Sequence, residues 1–388
     1  MLYRGSRRLY YLLAIFLTNM TWGLYFVSTR HYLSVELGGG AGIILFIAGL
    51  EWLYMLFAIF AGRLSRILGA RQLIFLGFLG AVPPIIAIYV KDPYLLSIIL
   101  SSSNLPWALS WPIIVSAIMG YGGDKPGIAY GFFTVGSSIG YSIGSICSGI
   151  LRSIGGIPLV LISISIFYIL SYSIYFKLYQ SREYNAERGS VYGNELGISE
   201  NIYPLIYVLA SYSLIVLSRE LLYSIAPYRI DAEIARVFPG INDSSRYVLF
   251  AIFFGGLTSI LSAPARILAG ILSDRYNPIY LLMVIGMGYL SIYWLFAMGE
   301  GIFVLLAWQI PLYPFLDVSI NTYIARYYHG EARIFGLGAV LFSSSIGGLL
   351  QLLIFITSNP DIRSIGYAIS ISIAISLALL MHTLTHKR

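Results

Sequence analysis

The chain has 388 residues, of which 58% are hydrophobic and only 11% charged, with a mean hydropathy of +0.81 and a formal net charge of +7. A soluble domain carries about 25% charged residues, so a water-soluble enzyme or binding module is excluded. The positive charge lies in short loops and forms no patch or tail, which argues against a nucleic-acid partner and for charges that orient a membrane protein.

Apolar runs of the length that spans a bilayer, about 20 residues, recur from end to end. They are continuous and do not alternate, so helices are predicted over barrel strands. Span 1 covers 9–30; it is too long for a signal-peptide core and reads as a retained helix. Spans 2, 3 and 4 cover 41–62, 72–90 and 93–119. Span 5, at 127–151, carries Gly131, Gly136, Gly140, Gly144 and Gly149, a composition that lets helices approach closely. It also holds the single cysteine, Cys147, so no intramolecular disulfide is expected. Span 6 covers 157–177, and the polar segment 178–201 then divides the chain. Spans 7 to 12 follow at 202–227, 247–271, 278–297, 301–324, 333–357 and 363–384. The fold class expected is therefore all-α and polytopic, with bundles at 1–177 and 202–388 joined by a linker at 178–201. A sizeable loop is expected between spans 7 and 8, and within it Asn242 begins a formal glycosylation sequon.

With both termini on one side, fifteen of the 24 Lys and Arg residues fall on that side and seven opposite, while Arg219 and Arg266 lie within spans. The excess places both termini in the cytoplasm and the chain in the cell membrane. The halves also repeat. "GRLS" at 62–65 and "GILS" at 270–273 end spans 2 and 8, and "SSIG" at 137–140 and 344–347 lies in spans 5 and 11. The two offsets, 208 and 207, are nearly equal, as for two parallel six-helix repeats of a secondary transporter.

These motifs resemble those of the major facilitator superfamily, whose signature follows the second span and is often echoed after the eighth: Gly-x-Leu-Ala/Ser-Asp-Arg-x-Gly-Arg-Arg. Here "GILSDRYNP" matches from Gly270 through Asp274 and Arg275, whereas "GRLSRILGAR" keeps Gly62, Gly69 and Arg71 but has Arg66 at the acidic position. The glycine-rich fifth span and the "GEARIFGLGAV" start of span 11 also look like the family's. The resemblance implies two six-helix bundles and a cytoplasmic gating loop, with Asp274 facing the start of span 5 near Gly127 and Arg66 near the start of span 11, where Glu331 offers a partner. An aspartate placed there would meet the positive N-terminus of a helix. The plainer reading, ordinary positively charged loops with no latch, stays open.

Five ionisable residues fall inside spans: Glu51, Arg219, Glu220, Arg266 and Asp317. Each costs about 2.5–3.5 kcal/mol at a helix centre on insertion scales, which makes it a functional candidate. Spans 3, 6 and 9 contain none and span 12 has only His382 near its end, and the resemblance makes these four peripheral. Asp317 and Asn321 are four apart and share a helix face. Gln309, Pro311 and Pro314 break the same span, which only a cavity or protein interior tolerates. Desolvation favours the protonated form of a carboxylate, so Asp317, then Glu51 and Glu220, are the candidate proton carriers. Arg219 and Arg266 would hold an anionic group or neutralise these carboxylates, and an interior salt-bridge network is the plainer alternative. Asn19 with Trp22, and Asn104 with Trp107 and Trp111, keep helical spacing and would form a substrate wall or, more commonly, packing anchors.

Four histidines without ligand spacing and the lack of a phosphate-binding loop give no reason to expect a metal, a cofactor, ATP-driven transport or an enzyme. The function expected is alternating-access transport of a small organic solute, coupled to protons, by a monomer in the bilayer. An uncoupled facilitator, and a non-transporting receptor or assembly factor on the same scaffold, stay open.

Overall fold

A computed structural model describes residues 2–37, 40–120, 125–179, 202–328, 330–358 and 362–385. The described residues form helices and no strands. Eleven helical segments are long and apolar enough to cross a membrane, and one of them, Pro126–Leu178, is two helices run together. Its interior is broken at Gly155 and Gly156, the latter at φ 65°, ψ −167°, a region closed to residues with a Cβ. Pro158 then restarts the chain.

Among the described residues the twelve crossing helices are α1 (Leu2–His31), α2 (40–68), α3 (70–87), α4 (Pro93–Met119), α5 (126–154), α6 (157–178), α7 (Ile202–Val237), α8 (243–275), α9 (Pro278–Met298), α10 (Ile302–Tyr327), α11 (Gly330–Ser358) and α12 (Ile362–Thr385). An even number of crossings returns both chain ends to one side, called here the terminal face. Several starts are fixed by side-chain caps: Asp92 accepts from Leu95 N (2.7 Å), Asn242 from Ser245 N (2.8 Å) and Asn277 from Ile279 N (3.0 Å), with a proline at the first helical position after Asp92 and Asn277. The sequon asparagine, Asn242, is thus a helix cap.

One expectation is corrected here. The loop foreseen between spans 7 and 8 is largely helix, because α7 continues to Val237 and only 238–242 are non-helical. Its charges are absorbed locally: Glu233, almost fully buried, pairs with Arg229 (3.1 Å) and Arg236 (3.4 Å) and accepts from Gly301 N (2.7 Å). At 1.5 Å per residue, the 36 residues of α7 extend well past a hydrocarbon core of about 30 Å. Most of the linker, residues 180–201, lies outside the described residues.

Helices α3, α6, α9 and α12 expose large apolar side chains such as Leu79, Ile166, Val284 and Ile371, as lipid-facing helices do. Among the other eight, α5 packs against α1 and α8 through glycine. A Cβ on Gly140 or Gly144 of α5 would stand 2.1 Å from the carbonyl oxygens of Phe16 and Met20 on α1. One on Gly131 would stand 2.4 Å from the carbonyl of Arg266 on α8. Gly149, by contrast, meets only ordinary contacts.

Helix α10 breaks at Trp308–Pro311, and α8 opposite it loosens into a π-turn at Ile252–Gly256. The Gln309 side chain closes both defects. Its Nε2 donates to Phe253 O (3.0 Å) and Leu305 O (2.9 Å), and its Oε1 accepts from Thr258 (2.7 Å). Gln309→Leu keeps the volume but strands those groups, at about 1–3 kcal/mol for each one buried. The expected result is a clearly lower melting temperature of the purified protein in detergent, whereas an unchanged melting temperature would show that the amide bonds are dispensable.

Candidate functional site: a charged cavity between the inner helices

A cavity of about 390 Å³ is lined from α1, α2, α4, α5, α7, α8, α10 and α11, and by no residue of α3, α6, α9 or α12. Of the residues singled out in the sequence, Asn19, Trp22, Glu51, Trp107, Arg219, Glu220, Arg266, Asp317 and Asn321 line it. Asn104 does not. It is fully buried and donates to Ser101 O (3.0 Å), one turn back on its own chain.

Three ion pairs sit in the lining. Glu51 on α2 meets Arg30 on α1 fork to fork, at 2.9 and 2.5 Å, and Tyr25 donates to the same carboxylate at 2.7 Å. On α7, Arg219 turns Nε and Nη2 onto one oxygen of Glu220, at 2.9 and 2.6 Å, while Trp52 of α2 reaches the other at 3.4 Å. On α10, Asp317 pairs with Arg266 of α8 at 2.9 Å. It also accepts from Tyr130 of α5 (3.1 Å) and from Asn321 one turn along (2.9 Å). Arg266 in turn donates to Ser138 of α5 at 2.7 Å. The Asp317 cluster therefore bonds α5, from the first half of the chain, to α8 and α10 from the second. Charge-assisted bonds of this kind are about twice as strong as neutral ones, and breaking a buried pair from one side is costly.

An aromatic wall faces these charges. The Trp107 and Trp111 rings stack at 5.3 Å, Trp22 stacks on Phe26 at 5.6 Å, and Trp22 meets Trp107 edge-on at 5.8 Å.

At the terminal face, Asp274 accepts from Gly127 N (3.0 Å) and Ile128 N (2.7 Å), the first amides of α5, where a carboxylate meets the positive end of the helix. A Cβ on Gly270 would lie 2.5 Å from Gly127 O, so only glycine permits this approach. Arg326 donates to the carbonyls of Asp274 and Tyr276, the latter at 3.1 Å, and holds the end of α8. Arg275 lies over the Tyr276 ring. The other copy is looser. A Cβ on Gly62 would stand 3.3 Å from Phe335 of α11, and Gly69 turns the chain at φ 91°. The side chain of Glu331, expected to partner Arg66, lies outside the described residues.

Residues 11–352 match the Major Facilitator Superfamily. The chain belongs to that superfamily. It is therefore an integral membrane transporter and not an enzyme, with the superfamily's two six-helix bundles. Solved structures share the fold at low identity. A single-residue variant of the E. coli fucose:proton symporter, FucP, matches with TM-score 0.64 at 13% identity, covering 97% of this chain and 98% of its own. A bacterial homologue of the iron transporter ferroportin in an outward-facing state matches with 0.64 at 14%, covering 98% of each chain. The nucleoside transporter NupG matches with 0.63 at 15%, again covering 98% of each. No curated protein sequence matches the chain.

Sequence reasoning missed Arg30, Tyr130 and Ser138. Arg30 carried a signal, since Asn19, Trp22, Phe26 and Arg30 follow one another at three- and four-residue steps and all line the cavity. Ser138 lies in the repeated "SSIG" at 137–140, which marked the repeat and not a contact, and Tyr130 carried no signal, because one hydroxyl in a helix is ordinary.

If the loop after α8 is the tighter latch, Asp274→Ala impairs transport more than Arg66→Ala when both are assayed as flux per reconstituted molecule. Equal losses would remove the asymmetry.

Proposed function

We propose that this chain is a secondary transporter that moves a small organic solute by alternating access, coupled to protons. The observation that carries the reading is the Asp317 cluster, in which an acid inside the cavity bonds the inner helices of both halves at once. Protonating Asp317 removes its charge and weakens its bonds to Arg266 and Tyr130 together, so that proton binding and the loosening of α5 from α8 and α10 become one event. Residues 1–177 and 202–388 are the two bodies that rock, joined by 178–201, and the Asp274 contact is the latch of the terminal face. The excess of Lys and Arg on that face supports cytoplasmic termini in the cell membrane. The cavity lies within a single chain, which supports a monomer as the working unit.

One observation favours a second reading within the class. All three carboxylates already have arginine partners, as in an uncoupled facilitator whose ion pairs are structural.

Reconstitution into liposomes separates the two. Under an imposed pH gradient the wild type concentrates at least one solute from a broad panel, while Asp317→Asn supports only downhill flux. Uphill accumulation by Asp317→Asn would remove the coupling role, and flux indifferent to the gradient in the wild type would establish the facilitator.

A further inference from the structure

The three arginines of the cavity differ in how much of each guanidinium is already used. Arg30 spends its fork on both oxygens of Glu51, and Tyr25 completes that carboxylate. Arg219 spends Nε and Nη2 on a single oxygen of Glu220. Arg266 gives Nε to Ser138 and Nη1 to Asp317. Among the described residues, Arg219 Nη1 and Arg266 Nη2 have no hydrogen-bond partner, and neither belongs to the enclosed polar atoms. Both guanidinium groups lie over one ring, that of Tyr313, at 5.4 and 5.6 Å from its centroid. Two partly used forks thus flank one aromatic ring in the cavity wall, an arrangement matched to a planar carboxylate.

Charge balance narrows the solute further. The lining carries Arg30, Arg219 and Arg266 against Glu51, Glu220 and Asp317, and hence no net charge. An anion added to it would leave one negative charge uncompensated in a poorly solvated space. A proton taken up with the anion restores the balance. Asp317 is the acid placed to take it. Its side chain is 15% exposed against 6% for Glu51. Glu220 is equally exposed, but its arginine is the adjacent residue of the same helix, so protonating it releases no ion pair between helices. Asp317 faces Arg266 from α8, Tyr130 from α5, Tyr212 from α7 and Tyr313 from its own helix. Of these groups it alone gives up a charge by binding a proton.

We propose that the transported solute is an organic anion bearing a carboxylate, held by Arg219 and Arg266 beside Tyr313 and carried with one proton on Asp317. This rests on the transport reading above and names its substrate class. A proton from the aqueous phase binds the Asp317 carboxylate, the ion pair with Arg266 opens, and the solute carboxylate takes the vacated Nη1 together with Nη2. Release reverses each step, and the proton leaves with the solute.

The test uses matched carboxylate and carboxamide pairs, namely benzoate and benzamide, nicotinate and nicotinamide, and lactate and lactamide, in proteoliposomes with an acidic exterior. The expected result is accumulation of a carboxylate without its amide. In wild-type protein, equilibrium binding of that labelled acid strengthens as the buffer is made acidic; in Asp317→Asn it is as tight in alkaline as in acidic buffer. Arg219→Gln and Arg266→Gln raise the half-saturating concentration by about tenfold or more, the loss for a charge-assisted contact. If Arg266→Gln is not recovered folded, Arg266→Lys, which keeps the charge but not the fork, must show the same rise. Accumulation of amides in place of acids would overturn the anion class and leave transport standing, as would acid uptake untouched by either arginine change. If neither these compounds nor the broad panel above moves, the transport reading falls and the anion with it.

Discussion

Hydrocarbon leaves a charge no solvent, so every charge this chain carries through the bilayer must bring its counter-charge along. That constraint decides which helices belong together. Glu51 and Arg30 join α2 to α1 within the first half, and both are spent on each other. Glu220 and Arg219 pair on one helix, and Trp52 reaches Glu220 from α2. Asp317 and Arg266 join α8 to α10, and the hydroxyls of Tyr130 and Ser138 extend the network into α5. In the last of these the ion pair lies within the second half while its bonds to Tyr130 and Ser138 reach the first, so a change in one proton there has consequences for the relative position of both.

The same demand applies to the backbone. Where helices meet closely, glycine brings carbonyl oxygens of one helix against the backbone of the next, as α5 does with α1 on one side and α8 on the other. The α5 helix is therefore shared between a tight contact inside its own half and a tight contact with the other. A helix so placed transmits strain, because neither contact has side-chain volume to give.

Much of this was legible in the sequence for plain reasons. The spans stood out because continuous apolar runs have one stable form in a bilayer, and the division of α5 from α6 was marked by Gly155, Gly156 and Pro158. Four of the inner helices, α2, α7, α8 and α10, were marked by their charges. What stayed hidden was hidden for equally physical reasons. The end of α7 reads as loop because it is rich in charge, and only the fold shows that Arg229 and Arg236 neutralise Glu233 while Gly301 N donates to it. Arg30 stands at the edge of its apolar run, where counting treats it as an orienting loop charge, although its helix carries it into the cavity. Asn104 has the spacing of a wall residue, but the Ser101 carbonyl claims its amide. Spacing gives the face of a helix, and the neighbouring helix decides what that face meets.

Gln309 has a mechanical consequence. Helices α8 and α10 each have a weak point at the same depth, and one amide side chain stitches the two together. Stitched helices resist shearing past each other, so Arg266 and Asp317 ride on a single plate with their separation set by the scaffold. Their ion pair is then free to act as a chemical switch, because it is not also required to act as a rivet.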